Sequence, residues 1–401
     1  MVTIYYAVAS FLTALISAWA GSLVALRLLG KPPPVFWVDR ARLAYPARLA
    51  TGRNALFLPL LLGAITYGTG TSPRSGVGAW TIEFAMVSAY AGCLMVSGAT
   101  EKRIQGTAFR VEAWRSNLLR SLVILVPEWG TVLVTVPLIP TELNSHAVEV
   151  LIAAMSVVTL GAFGGSFALA RWVGLIETAS PRLVAVVAEA ARRTGIQPQA
   201  VYQWNSLYAN AVAHPFQKWL AVSDRALEVL TDAELTSICV HELAHVTEPV
   251  TVTILRVGAR MLFFATVIAI RPLAGSFGEG GAAIAIMVML FTMLRVKPMQ
   301  RRMEVRADAA GRAHQGDEGT YARALERLHE SSLTPVVMME ERRTHPDLYD
   351  RLLAAGVTPS YPRPQLPDNP ASTFAVVVTL ITAAALYEIA LTTLGTWLAG
   401  C

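Results

Sequence analysis

Apolar runs of about twenty residues recur along this chain, and they constrain its fold more than any other feature. A helix needs about 20 consecutive, mostly apolar residues to cross the hydrocarbon core of a bilayer. Five stretches before residue 172 qualify: Val2 to Leu26, Asn54 to Pro73, Trp80 to Thr100, Ser121 to Pro140 and Val150 to Ala170. A sixth, Phe374 to Leu398, follows the segment TPSYPRPQLPDNP, whose prolines cannot continue a helix. Composition agrees, because only 15% of the 401 residues are charged, against about 25% in a soluble domain. The chain is therefore read as a polytopic α-helical membrane protein, with the lipid bilayer as its first partner.

The first stretch lacks a positive n-region and is too long for a signal h-region, so it is read as a retained span. The fourth is interrupted by Pro127-Glu128. The fifth holds Gly161-x-x-x-Gly165, a spacing that suits close helix packing. Glu128 and Glu388 fall inside apolar stretches, where a carboxylate is costly unless paired or hydrated. They are read as polar groups packed between helices or lying nearer an interface, with a water-filled chamber as the other reading.

Basic residues alternate between loops. Loop one, Gly30 to Arg53, carries Lys31, Arg40, Arg42, Arg48 and Arg53, and loop three carries Lys102, Arg103, Arg110, Arg115 and Arg120. Loop two has Arg74 alone, and Thr141 to Glu149 has no Lys or Arg. By the positive-inside rule the N-terminus is outside and the chain beyond the fifth span is cytoplasmic. These residues account for the basic balance, and no nucleic-acid motif accompanies them. Cys93, Cys239 and Cys401 lie far apart without a CxxC pair, which suggests neither a disulfide framework nor a thiolate metal site.

Between Arg171 and Pro249 the texture becomes that of a mixed α/β fold. PRLVAVVAEAARRTG has helical spacing and stops at Gly195, while AVYQWNS and KWLAVSD are short β-prone runs. In TDAEL, Thr231 and Glu234 form a capping box that opens a helix running from Asp232 to just before Pro249. Beyond it, Met261 to Ile270 and Ala282 to Leu294 are joined by RPLAGSFGEGG, with Arg256, Arg260 and Arg271 flanking the first. They form two spans with snorkelling arginines or a hairpin dipping into the membrane; either way both ends return to one side. RVKPMQRR then marks the cytoplasmic boundary.

The predicted helix contains HELAH. Residues four apart share a helix face, so His241 and His245 can hold one metal ion, with Glu242 beside them to take a proton from water. The opposing reading is a surface helix with solvated histidines. A third ligand is needed, and Glu248 is close enough to come from the same helix. The other candidates are Glu304 and Asp308 in MQRRMEVRADAAG, again four apart, one to coordinate and one to accept a hydrogen bond from a ligand histidine. His146, His214, His314 and His329 share no ligand spacing with the motif.

The combination resembles the peptidase family of the HtpX membrane protease and the CAAX prenyl endopeptidase. It rests on Asn210-Ala211, the lead-in ALEVLTDAEL, HELAH, EVRAD and THPDLYDRL, over about residues 180 to 356. The membrane hairpin between HELAH and the distal glutamate also resembles HtpX. The chain departs from the family in Ala244, where glycine is frequent, and in its five leading spans, against two in HtpX-like proteins. The resemblance implies one Zn2+ per chain on His241, His245 and Glu304, with Glu242 as general base and acid. It implies that Asp308 orients a ligand histidine, and that His345 and Asn210 lie near the substrate.

The expected fold is thus a polytopic α-helical membrane protein with an α+β zincin-type (gluzincin) metallopeptidase domain split by a membrane hairpin. Residues 1–175 form the N-terminal membrane domain. Residues 176–249 and 299–358 form the two parts of the peptidase domain, on either side of a hairpin at 250–298. A proline-rich linker at 359–371 leads to the last span at 372–401. The expected activity is zinc-dependent cleavage of a peptide or membrane-protein substrate at the cytoplasmic face of a bacterial plasma membrane. An extended substrate would pair with the edge of KWLAVSD. A sensor-type signalling metalloprotease, and a scaffold or transporter with a structural zinc site, are the alternatives. The sequence carries no signal for oligomeric state.

Overall fold

The computed structural model describes residues 2–26, 36–69, 76–338 and 345–399. Lys31 and Arg74 of the connecting loops, Thr344 of the THP motif and Cys401 lie outside them. Among the described residues seven helices are long and apolar enough to cross a membrane. The chain divides into two units, residues 1–109 with 366–401, and residues 110–365.

The first unit is a bundle of four helices: α1 (Val2–Leu26), α2 (Trp37–Gly68), α3 (Gly76–Gln105) and the last helix of the chain, α14 (Asn369–Ala399). Small residues such as Ala9, Ala14, Ala18 and Ala89 are buried where the helices meet, and Leu58, Leu62 and Tyr387 fill the space between them. Such residues let backbones approach when no hydrophobic effect drives association. Buried polar groups here are mostly hydroxyls. Ser10 Oγ donates to Tyr387 Oη at 2.9 Å, and Thr66 Oγ1 lies 2.8 Å from the same oxygen.

α2 begins well before Asn54, so Arg40, Arg42, Arg48 and Arg53, expected in a loop, are helical. The helix outruns the apolar stretch because arginine and alanine are good helix formers and the arginines find partners on α3. Arg48 binds Glu101 through two bonds of 2.7 and 2.9 Å, and Arg40 Nη2 donates to the Ile104 carbonyl at 2.7 Å, near the end of α3. Glu388 is exposed on α14.

The second unit begins with α4 (Val111–Leu125), a wider π-turn at Val126–Gly130 and α5 (Thr131–Leu138). The turn falls where the sequence carries Pro127, which cannot donate to the preceding turn. α6 (Ser145–Leu160) and α7 (Ser166–Trp172) are likewise parted by a π-turn, Gly161–Gly165. The two turns touch: a Cβ at Gly161 would sit 2.7 Å from the Pro127 ring, the close packing expected of that glycine. Buried Glu128 is paired with Arg260 of the later helical hairpin.

A four-stranded sheet follows, with strands β1 (Glu177–Thr178), β2 (Ala200–Trp204), β3 (Ala211–His214) and β4 (Trp219–Ser223) in the order β1-β2-β4-β3. β2 and β4 are parallel and the other pairs antiparallel. This corrects the expected substrate edge. KWLAVSD forms β4, which is buried along its whole length and paired on both sides, so the free edge on that side of the sheet belongs to β3, with β1 at the other. The intervening AVAH doubles back onto β4 with Val212 opposite Ala221, through a turn in which Lys218 takes φ 48°.

Helix α8 (Pro181–Thr194) ends at Gly195 in the left-handed region, and α9 (Asp224–Val229) leads into α10 (Asp232–Val246). The Thr231–Glu234 capping box opens α10 as expected, and most of the helix is buried. α11 (Val250–Ala313) has 64 residues, about 96 Å if straight. Yet Glu304 near its end lies 3.6 Å from His245 just before its start. The helix therefore doubles back, and it does so at Gly278, whose φ of 60° and ψ of −148° no other residue type adopts readily. The first limb packs Phe264 and Ile268 against Val132, Ile139 and Val158. Arg271 Nη1 donates to the carbonyls of Val136 and Pro137, at 2.9 and 2.7 Å, satisfying the exposed end of α5. α12 (Thr320–Ser332) and α13 (Leu348–Ala354) complete the unit.

Candidate metal centre

The capping box sets where α10 begins, and helix geometry then places His241 and His245 one turn apart on the same face. Glu304 reaches them from the second limb of α11. The two Nε2 atoms are 3.4 Å apart, and Glu304 Oε2 lies 3.5 Å from that of His241 and 3.6 Å from that of His245. Tetrahedral zinc with bonds of about 2.0–2.1 Å holds its ligand atoms about 3.3–3.4 Å apart. Glu304 Oε2 is moreover buried, with no well-aligned hydrogen bond to it and His345 Nδ1 3.0 Å away. Two imidazole nitrogens and one carboxylate oxygen therefore converge at the spacing a zinc ion requires, and the residues fit the group.

The outer nitrogens explain why the inner ones are free to ligate. His241 Nδ1 is 2.9 Å from the Tyr321 hydroxyl and 3.2 Å from Asp308 Oδ1. Tyr321 donates to that same carboxylate oxygen at 2.7 Å, and Arg351 grips Asp308 with two bonds of 2.9 and 2.7 Å. His245 Nδ1 is 2.7 Å from Glu248 Oε1, whose other oxygen accepts from Arg256 at 2.7 Å. An acceptor on Nδ1 holds the proton there and turns the Nε2 lone pair toward the metal. Glu248, the near candidate for third ligand, thus lies on the far side of the ring, while Glu304 lies on the near side.

Electrostatics follow the same arrangement. Burial would lower the pKa of His245, but Glu248 and Glu304 outweigh it and raise it to about 10. His241 is raised likewise, burial again being opposed by Asp308 and Glu304. Burial would raise Glu248, yet His245 and Arg256 hold its carboxyl below the ordinary range. The Tyr321 hydroxyl is pushed well above its usual value, first by burial, so it remains a donor.

Two cavities meet at the site and share Asn210, Ala211, His241, Glu242 and His345. One, of about 250 Å³, is lined by apolar Ile238, Leu325, Leu328 and Met338. The other, of about 370 Å³, runs along β3 to Glu248, Arg256 and Gln300. Glu242 borders both. His345 Nδ1 is 3.0 Å from Glu304 Oε2, and the exposed Asn210 closes the sheet side.

All seven expected site residues are therefore gathered in one place. Tyr321, Arg256 and Arg351 were not expected as site residues. Arg351 was within reach, since it lies in the THPDLYDRL motif, but nothing in the pattern around Tyr321 or Arg256 marks them.

Residues 177–356 match the family described as Peptidase family M48. A protease HtpX homologue of Ralstonia pickettii is 30% identical over 167 residues, which cover 38% of this chain and 57% of that protein. One from Acidiphilium cryptum is 30% identical over 166 residues, covering 38% and 58%. The chain thus spans a little over half the length of these curated relatives. The crystal structure of S. mikatae Ste24p aligns with a TM-score of 0.57 at 15% identity, covering 88% of this chain and 99% of that one, a likeness of fold.

Fold and family match together describe a polytopic helical membrane protein that carries a metallopeptidase-type domain. The region 177–356 matches peptidase family M48 and is similar in sequence to the HtpX homologues, while the chain as a whole is similar in fold to Ste24p. The structural likeness also takes in apolar helices outside the family match.

Proposed function

We propose that this chain is a zinc-dependent endopeptidase of the membrane, cleaving membrane proteins or a dedicated peptide precursor. One observation carries the reading: His241, His245 and Glu304 converge at zinc spacing with Glu242 beside them, where two cavities meet. The two curated relatives, both protease HtpX homologues, agree with it.

His241, His245 and Glu304 would hold zinc, which would supply the Lewis acidity to activate water near neutral pH and to polarise the scissile carbonyl. Glu242 accepts a proton from the attacking water and delivers it to the departing amine. Asp308, Tyr321 and Arg351 hold the His241 ring in register. The substrate binds extended along the free edge of β3, its backbone pairing with Ala211 to His214. The cavity lined by Ile238, Leu325, Leu328 and Met338 together with His329, Ser332 and Thr334 takes a side chain next to the scissile bond. Asn210 holds the substrate backbone, and His345, with Nδ1 turned to Glu304, lies beside the scissile carbonyl. The alternation of basic residues puts this site at the cytoplasmic face.

Glu242→Gln tests the mechanism. It should bind zinc as the wild type does and cut a casein or membrane-protein substrate about 10²- to 10⁴-fold more slowly. Cleavage at the wild-type rate with zinc bound would overturn it, and would favour a zinc site of structural purpose.

A further inference from the structure

His241 and His245 are held by two unrelated sets of residues. Behind His241 stand Asp308, Tyr321 and Arg351, from the second limb of α11 and from α12 and α13. Behind His245 stands Glu248, its side chain 2% exposed, and behind Glu248 stands Arg256. Arg256 lies on the first limb of α11, within the helix that is apolar enough to span a membrane. One turn further along the same limb, Arg260 pairs with buried Glu128 in the π-turn between α4 and α5.

We infer that Glu248 and Arg256 are positioning residues, through which the membrane limb of α11 sets the His245 ring and so tunes metal affinity. The inference rests on the zinc site proposed above. α10 ends at Val246, so Glu248 sits in the short non-helical link before α11, and its carboxylate falls on the Nδ1 side of His245. A carboxylate this buried needs an opposite charge, or it would leave its oxygens unsatisfied. Arg256 supplies that charge from the limb itself, and its bond to Oε2 leaves Oε1 directed at the ring. A shift of the limb moves Arg256, then Glu248, then the direction of the His245 lone pair. No residue of this relay touches the ion, so its effect is read in how tightly the metal is held.

Zinc competition against a chromogenic chelator, on the full-length protein in detergent, tests this. Glu248→Ala should weaken zinc binding by about 10- to 100-fold, the usual effect of removing an outer partner of a ligand histidine. Glu248→Gln should keep most of the affinity, because its amide oxygen still accepts from Nδ1–H. Arg256→Met should fall between the two. Arg327→Met is the control: it breaks a 2.9 Å bond to the similarly buried Glu234 of α10, away from the metal, and should leave zinc affinity unchanged whatever it does to thermal stability.

Loss of thermal stability in Glu248→Ala without loss of affinity would make the relay merely structural and overturn the inference. So would a Glu248→Gln variant that loses zinc as fully as Glu304→Gln, since Glu248 would then be a ligand. A wild-type protein that takes up no zinc would sink the metal centre itself, a result distinct from either.

Discussion

The two units bury polar groups in different ways. In the unit formed by residues 1–109 and 366–401, the interior polar groups are chiefly hydroxyls, among them Ser10, Thr66, Thr379 and Tyr387, with Glu101, paired with Arg48, as a buried charge. Several also bond to their own helix, as Thr66 does to the Leu62 carbonyl at 2.7 Å and Thr379 to the Ala375 carbonyl at 2.8 Å. In the unit 110–365 the buried polar groups include charges: Glu128, Glu234, Asp308 and Arg351. A hydroxyl can be satisfied within one helix turn at little cost. A buried charge cannot, and needs a partner brought from elsewhere in the chain. Asp308 has Arg351, 43 residues away, and Glu128 has Arg260, 132 residues away. The unit that bears more of those costs also carries the candidate metal-ligand triad.

The largest effect that would break this contrast is loss of the metal. Stripping zinc with a chelator, or replacing Glu304 by Gln, should abolish hydrolysis, and added zinc should restore only the stripped wild type. Restored activity in Glu304→Gln would mean another residue completes the site. Next in size is Arg351→Met, which leaves Asp308 buried and unpaired. It should cost about 3–5 kcal/mol of stability by thermal or denaturant unfolding. A loss of about 0–1 kcal/mol, the value of an exposed pair, would show that water reaches Asp308 and that the charge contrast is overstated.

How much of this was legible in the sequence depends on how local each feature is. HELAH at one-turn spacing, the Thr231–Glu234 capping box and the stop at Gly195 are written within a few residues, and each is found where the pattern puts it. The turn at Pro127 is equally local. What escaped the sequence is set by contacts made at a distance. AVAH is too short and too poor in β-branched residues to announce a strand, and it becomes the sheet edge only because β4 lies beside it. α2 and α4 start earlier than their apolar stretches, since hydropathy measures membrane thickness and not helix length. Tyr321 has no motif around it; it matters because α12 packs on α10 and brings its hydroxyl to His241.

A matched pair of tyrosines gives the smallest and sharpest prediction. Tyr321 and Tyr387 are both almost fully buried, and each hydroxyl makes hydrogen bonds across helices. Tyr321→Phe deletes a bond to a metal-ligand histidine and one to its carboxylate partner. Zinc affinity should therefore fall by about tenfold or more. Tyr387→Phe deletes bonds to Ser10 and Thr66, and Thr66 already has a carbonyl of its own helix to turn to. Inter-helix hydrogen bonds in membrane proteins contribute about 0.6 kcal/mol on average. Tyr387→Phe should thus lower stability by that small amount and leave both zinc affinity and the rate of hydrolysis unchanged. If it weakens zinc binding as much as Tyr321→Phe does, the hydroxyl-lined unit is coupled to the metal centre, and the division of labour between the two units fails.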